Sequence, residues 1–189
     1  AAGLIVFFVT RIGRNLRERD AHLAALRQRS VEEELVVRMG LLASGAFGDA
    51  PDYVNAADWL QKAAAQGQVA AQYNLGVLYL EGQGVPRDPV KAAELIGDAA
   101  GKGDPDAMLD YGVLVFRGEG VQQSEKIGAQ WLLLSAKRGN VIAQNRVARL
   151  YLFGKGVTAD PVEAMKWNIL AAKSGRGDAE LDSMMDKLT

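Results

Sequence analysis

Three glycine-rich segments are the first candidates for chemistry, because a Gly-x-Gly loop that opens a helix can cradle a phosphate. They read "EGQGV", "RGEGV" and "FGKGV", at residues 81–85, 117–121 and 153–157. None follows a predicted strand, none has the third glycine of a dinucleotide fingerprint, and none has Gly-Lys-Ser/Thr after four spacers. The sequence therefore favours a structural turn over a nucleotide site, and it predicts no cofactor.

Few other residue types that perform chemistry are present. The chain has no cysteine and one histidine, His22, which excludes thiolate catalysis, cysteine-based zinc sites and any mechanism with two imidazoles. Glu32 to Glu34 form a carboxylate run at a predicted helix start, where negative charge complements the helix dipole. Paired-carboxylate catalysis needs a second group across a cleft, and nothing in the sequence places one. We therefore predict no catalytic residue, no metal site and no enzyme activity.

The charge balance bears on possible partners and on location. The chain has twenty-two basic and twenty-three acidic residues, a formal net charge of -1. This net charge provides no overall electrostatic attraction to nucleic acid, so we predict no nucleic-acid partner. The apolar run from Leu4 to Val9 is too short to span a bilayer. It is either the tail of a removed N-terminal anchor or the buried face of a first helix. The anchor alternative is the only predicted membrane contact, and we favour a periplasmic or membrane-anchored protein over a cytoplasmic one without excluding either.

An internal repeat of thirty-six residues organises most of the chain. Its clearest rows are Gly67, Gly103, Gly139 and Gly175; Gly82, Gly118 and Gly154; Gly84, Gly120 and Gly156; and Trp59, Leu95, Trp131 and Trp167. The tripeptide Arg176-Gly177-Asp178 is integrin-like, but it falls in a predicted turn between repeats, so we interpret it as coincidence. The tryptophans share one register, so we predict that they pack in the core.

Each repeat predicts two helices. In the first, the apolar residues Ala71, Leu75, Leu78 and Tyr79 follow helical spacing, and Gly76 predicts a close approach between helices. Gly112 lies at the same position, and Ala148 occupies it in the last repeat.

The second helix is predicted to begin at an N-cap residue, and its loop is expected to tuck onto the next helix through a valine. The N-caps are Asp52, Asp88, Ser124 and Asp160, and the valines are Val85, Val121 and Val157. Asp160 with Glu163 resembles a capping box, whereas Ser124 and Gly128 are expected to weaken the middle repeat.

The predicted fold is all-α, an α-solenoid of antiparallel helix pairs. Residues 1–34 form an N-terminal cap or a degenerate repeat, residues 35–178 form four repeats, and residues 179–189 form a C-terminal cap helix. The four repeats are predicted at residues 35–70, 71–106, 107–142 and 143–178.

The segment "AQYNLGVLYLEGQGVPRDPVKAAELIGDAAGKGD" (71–104) resembles the SEL-one-like repeat, a relative of the tetratricopeptide repeat. The resemblance implies a right-handed α-superhelix that serves as a scaffold or adaptor for protein partners, and we expect a bacterial protein. A hydrolase or a cell-wall glycan binder of the envelope is the alternative, although the members described as hydrolases are cysteine-rich and this chain has no cysteine. The family defines an architecture rather than a reaction.

In related solenoids the first helices line the concave groove, which places the predicted partner-binding residues there. They are Tyr73, Val77, Leu80, Glu81, Leu109, Phe116, Arg117, Asn145, Arg149 and Phe153, with Val113 and Leu152 beside them. We expect the aromatic residues to anchor a protein or peptide partner, with Arg117 and Arg149 pairing with its acidic groups. The alternative is that Leu80, Phe116 and Leu152 pack on neighbouring helix pairs instead.

Overall fold

A computed structural model describes residues 53–178, together with residues 181 and 183. The expectations for Leu4 to Val9, His22, Glu32 to Glu34 and the Asp52 cap lie outside these residues. Seven α-helices of thirteen residues and no strand occupy the described part. They are α1 (Tyr53–Ala65), α2 (Val69–Glu81), α3 (Pro89–Gly101), α4 (Pro105–Arg117), α5 (Glu125–Lys137), α6 (Val141–Phe153) and α7 (Pro161–Lys173).

The helices alternate between two roles along the chain. The first helices of the repeats are α2, α4 and α6, and the second helices are α1, α3, α5 and α7. Seven-residue loops (82–88, 118–124 and 154–160) join a first helix to its second helix, and three-residue turns (66–68, 102–104 and 138–140) lead to the next repeat. Consecutive helices pack on each other, and alanine, leucine and isoleucine side chains fill the space between them. The all-α helical repeat solenoid predicted from the sequence is thereby confirmed.

The predicted helix caps of the second helices are present. The Asp88 carboxylate accepts a hydrogen bond from the Lys91 backbone N–H at 3.0 Å, and the Ser124 hydroxyl accepts one from the Ile127 N–H at 3.2 Å. Asp160 likewise accepts from the Glu163 N–H at 3.0 Å. These bonds satisfy donors that the first turn of a helix leaves unpaired.

The capping box predicted at Asp160 and Glu163 is wrong. A capping box needs the Glu163 side chain to accept the Asp160 backbone N–H. That N–H instead donates to the Tyr151 carbonyl oxygen at 2.9 Å, and the Glu163 carboxylate accepts from Lys166 Nζ at 2.5 Å.

The two helices of each pair approach closely where one of them carries glycine. A Cβ atom on Gly76 would lie 2.6 Å from Ile96 Cγ1, which confirms the predicted close packing of α2 on α3. In the middle repeat a Cβ on Gly128 would lie 2.7 Å from the Gly112 carbonyl oxygen. Gly128 therefore permits the close packing of α5 on α4, and its predicted weakening of the middle repeat stays a prediction.

The second glycine of each seven-residue loop lies against the preceding repeat. Gly120 has φ +70, and a Cβ there would collide with the Pro89 carbonyl group at the start of α3. Gly84 and Gly156 make the same approach to the first residues of α1 and α5. Val121 packs against the core between α3 and α4. The loops therefore tuck backward. Val157 likewise packs against the core of α4, α5 and α6, so Val121 and Val157 lie on the preceding helices rather than on the next helix as expected.

The tryptophans share a register but not an environment. Trp131 packs on the core and meets Tyr111 edge to face, with ring centroids 5.3 Å apart. Trp167 is also partly buried against the core. Trp59 is 53% exposed, with Lys62 Nζ 5.2 Å from its ring centroid, so its predicted core position is wrong. The repeat register determines the position of each tryptophan on its helix. The exposure of the ring depends on which side chains of the adjacent helices pack against it.

Candidate functional site

The predicted partner-binding residues occupy equivalent positions on α2, α4 and α6. We call the surface that these three helices present the first-helix face. Its rows are Tyr73, Leu109 and Asn145; Val77, Val113 and Arg149; Leu80, Phe116 and Leu152; and Glu81, Arg117 and Phe153. The equivalence follows from the repeat, because each step along a row is thirty-six residues.

Several of the apolar residues contribute to the core rather than to an open surface. Leu109 is only 7% exposed and belongs to the core around α4, α5 and α6, so we remove it from the predicted contacts. Leu80, Phe116 and Leu152 are half-buried and pack on the core of neighbouring helices. Their packing agrees with the alternative that the sequence left open, although part of each side chain remains accessible.

The row at the C-terminal ends of the first helices is the open part of the face. Glu81 and Arg117 are exposed, and Phe153 is 52% exposed. Arg117 makes no hydrogen bond or ion pair with the residues that the structure describes. Val77 and Val113, one helical turn earlier, are half-buried. A large apolar ring and an unpaired guanidinium therefore occupy equivalent positions on α6 and α4.

Arg149 has an intramolecular partner, which corrects the proposal that it pairs with an acidic ligand. Its Nε donates to Asp178 Oδ2 at 2.7 Å, and its Nη2 lies 2.5 Å from the same oxygen. Asn145 contacts the same segment, because its Nδ2 donates to the Arg176 carbonyl oxygen at 3.4 Å. Burial would raise the pKa of Asp178, but hydrogen bonds from Arg149, the Leu181 N–H and Asn145 outweigh it and hold the pKa below its usual range. The Arg176-Gly177-Asp178 tripeptide thus has a structural use.

A polar pair that the sequence analysis missed joins the first helices of two repeats. The Tyr73 hydroxyl on α2 donates to Asp110 Oδ2 on α4 at 2.9 Å. Burial, the Asp110 charge and the hydrogen bond to it raise the pKa of Tyr73. Burial also raises the pKa of Asp110, although the bond from Tyr73 and the charge of Arg146 act against it.

One signal in the sequence could have identified this pair. The row Asn74, Asp110 and Arg146 places an amide, a carboxylate and a guanidinium at equivalent positions on consecutive first helices. A residue type that changes along a row indicates that packing of the repeat does not require one particular side chain at that position.

The described residues contain no group of three or more histidine, aspartate or glutamate side chains arranged to hold a metal ion. Separately, none of the helices that the structure describes has the length and apolar content needed to cross a bilayer.

The helix pairs repeat every thirty-six residues, and each loop packs against the preceding pair. These features define an α-helical repeat protein. The Sel1 repeat family matches residues 37–68, 69–104, 105–140 and 141–175. The chain therefore belongs to the Sel1 repeat family, as the SEL-one-like resemblance implied.

Solved structures of bacterial proteins share the fold. A Sel1 repeat protein from Oxalobacter formigenes is 31% identical with a TM-score of 0.68, over 78% of this chain and 59% of its own. The protective antigen c5321 of uropathogenic Escherichia coli, which displays an SLR fold, is 33% identical with a TM-score of 0.69, over 81% of this chain and 33% of its own. Cysteine rich protein B of Helicobacter pylori is similar in fold alone, at 23% identity and a TM-score of 0.50, over 62% of this chain and 92% of its own.

The chain thus spans 59% and 33% of the first two proteins. A search of curated protein sequences found no match. Sel1 repeat proteins generally act as scaffolds that bind protein partners, and the family is typically non-catalytic.

Proposed function

We propose that this protein is a non-catalytic scaffold or adaptor whose first-helix face binds a peptide or a segment of a partner protein. The observation that carries the proposal is the open row at the ends of the first helices. There the exposed Phe153 and the unpaired Arg117 stand at equivalent positions, next to the half-buried Val113. Exposed aromatic and arginine side chains with adjoining apolar surface are the composition of interface hot spots.

The face also has a rigid support. Glycine at Gly76 and Gly112 brings the first helices close to their second helices, and the Tyr73–Asp110 bond ties α2 to α4. A face whose helices are fixed before binding loses less conformational entropy when a partner binds. The revised set of contacts is Tyr73, Val77, Glu81, Val113, Arg117 and Phe153, with the accessible parts of Leu80, Phe116 and Leu152.

A peptide selection tests the proposal with random sequences as ligands. The full chain is used to select from a phage-displayed library of random dodecapeptides, and the selected peptides are then bound to variants that carry a photo-crosslinking phenylalanine analogue. We expect crosslinks from position 153 and from position 113, because both lie on the first-helix face.

The matched control places the same analogue at Val90, which is exposed on the second helix α3. Position 90 should give no crosslink. Crosslinking at position 90 but not at 153, or failure to select any peptide that binds in solution, would contradict the proposal.

A further inference from the structure

The Tyr73–Asp110 pair leaves one carboxylate oxygen without a hydrogen bond. Asp110 Oδ2 accepts from the Tyr73 hydroxyl, whereas Oδ1 accepts nothing from the described residues. The neighbouring acidic residues are committed elsewhere. Asp104 caps α4 by accepting from the Ala107 N–H at 2.8 Å, and Asp106 accepts from Asn140 Nδ2 at 2.6 Å.

We propose that Asp110 determines the specificity of the first-helix face by binding a basic side chain of the partner, the ammonium of a lysine or the guanidinium of an arginine. This inference rests on the proposed function, since it names the chemistry of the ligand at the same face. Tyr73 has a positioning role, because its hydroxyl holds Oδ2 and leaves Oδ1 for the ligand.

Charge complementarity favours a cation at this position. Asp110, Asp106 and Asp104 each raise the pKa of Tyr73, so negative charge surrounds the Tyr73–Asp110 pair. The positive charge that acts on Asp110 comes from Arg146, which is exposed and forms no ion pair with it. Arg146 acts on Asp110 more strongly than either Asp106 or Asp104, but no described basic side chain contacts Asp110 Oδ1, so a partner cation can bind this oxygen directly.

Partial burial makes a cation a better ligand than a neutral donor. Removal from water destabilises the charged carboxylate, as the raised pKa of Asp110 indicates. A bound ammonium or guanidinium replaces the lost hydration with a charge-assisted hydrogen bond, which is stronger than a neutral one. A carboxylate held in this state before binding is preorganised for a basic residue.

The test uses dodecapeptides selected from the phage library by the full chain. We expect the selected peptides to share a lysine or arginine, and its replacement by glutamine to weaken binding to the wild-type chain at least about tenfold. Asp110→Asn retains an acceptor for Tyr73 but removes the charge. The parent peptide should bind this variant at least about tenfold more weakly, and the glutamine peptide should bind both chains about equally.

Asp98→Asn is the matched control, because it removes one negative charge from an exposed position on the second helix α3. It should leave the affinity of the parent peptide unchanged. Thermal melting of each variant establishes that it is folded. A second readout is the NMR titration of the Asp110 carboxyl carbon, whose pKa should fall when the parent peptide binds and stay unchanged with the glutamine peptide.

The outcomes separate this inference from the proposed function. Peptides that crosslink to position 153 but share no basic residue, or whose glutamine versions lose equal affinity for wild type and Asp110→Asn, would overturn the inference and leave the scaffold proposal in place. A chain that selects no peptide would overturn both.

Discussion

At the scale of single residues, Gln68 occupies an N-cap position that its side chain does not serve. The equivalent residues Asp104 and Asn140 each accept a hydrogen bond from a backbone N–H at 2.8 Å. Gln68 makes no cap bond, is only 5% exposed, and leaves its Oε1 buried without a partner. Glutamine differs from asparagine by one additional methylene, and the longer side chain makes no cap bond to the first turn of α2.

We predict that Gln68→Asn stabilises the protein by about 1 kcal/mol, because it adds a cap and removes a buried unsatisfied acceptor. The midpoint of urea unfolding should rise. Gln66→Asn, the same change at an exposed position in the same turn, should leave the midpoint where it is. A lower midpoint for Gln68→Asn would show that the buried amide has a stabilising contact.

Asp110 gives a prediction about pH. Its raised pKa means that the folded protein favours the protonated carboxyl. Stability from this group is therefore present at low pH, and it is lost as the pH rises from the unfolded pKa of about 3.9 through the higher folded pKa. Asp110→Asn should melt at a higher temperature than wild type at pH 7, and the difference should vanish near pH 3.

The same control, Asp98→Asn, accounts for the loss of one negative charge from an exposed position. If Asp110→Asn were less stable than wild type at pH 7, the carboxylate would be stabilising, and the case for a functional role of its charge would weaken.

At the scale of the helices and their connections, the loop glycines and the turn glycines differ in what surrounds them. Gly120 and Gly139 both have positive φ, at +70 and +91. A Cβ on Gly120 would collide with the Pro89 carbonyl group, whereas a Cβ on Gly139 would have no atom within 4 Å. Comparing the two positions separates backbone strain from lost packing.

We predict that Gly139→Ala lowers the free energy of unfolding by about 1 kcal/mol, since alanine must adopt a left-handed conformation. Gly120→Ala carries the same strain and also pushes the loop away from α3, for a further loss of about 1–3 kcal/mol. Chemical denaturation of both variants measures the difference. Equal losses would mean that the loop can shift off α3 freely.

A set of hydrogen bonds between repeats forms at one position of the array, whereas at the equivalent position two repeats later the donor is missing. Lys102 Nζ donates to the Gly67 carbonyl oxygen at 3.2 Å and to Gln72 Oε1 at 2.7 Å. Two repeats later, Gln144 has a buried Oε1 with no partner, and the residue equivalent to Lys102 is Ser174, which is too short to reach it.

We therefore predict that Ser174→Lys stabilises the last described repeat by about 0.5–1.5 kcal/mol, since the new ammonium can reach Gln144 Oε1 and the Gly139 carbonyl oxygen. Ser174→Met supplies a side chain of similar length without a donor and should not stabilise. An equal gain from both variants, measured by thermal melting, would assign the effect to packing.

The helices and their connections could be predicted from the sequence because the same residue types recur every thirty-six residues. The caps at Asp88, Ser124 and Asp160 and the close approach at Gly76 follow from residue type and register alone. Contacts between repeats did not follow from register. The Arg149–Asp178 pair depends on how far the side chain of Arg149 on α6 reaches toward the segment that follows α7, and the ligand assignment of Arg149 missed this intramolecular partner.

At the scale of the whole described array, extensive contacts join consecutive helices. Hydrogen bonds then tie one helix pair to the next, as with Tyr73 to Asp110 and Arg138 Nη1 to the Gly103 carbonyl oxygen at 2.5 Å. In such an array, stability is a sum of repeat and nearest-neighbour terms, so a local loss should stay local. This arrangement lets the first-helix face vary in one repeat without disturbing the others.

Asp178→Ala tests that locality. The change removes a carboxylate partner of Arg149, a bond from Asn145 and an acceptor for the Leu181 N–H. We predict faster amide hydrogen exchange in α6 and α7, with exchange in α2 and α3 unchanged, because the bonds described for Asp178 join α6 to the segment that follows α7. Asp178→Asn, which keeps an acceptor, should have a smaller effect at the same sites.

The variant also links stability to recognition. Arg149 loses one carboxylate partner in Asp178→Ala, so less of the positive charge of the first-helix face is neutralised. Peptides selected on this variant should contain more acidic residues than those selected on wild type. Faster exchange throughout α2 to α7 would instead show that the repeats unfold as one unit. An unchanged peptide composition would show that the charge of Arg149 does not act on the ligand.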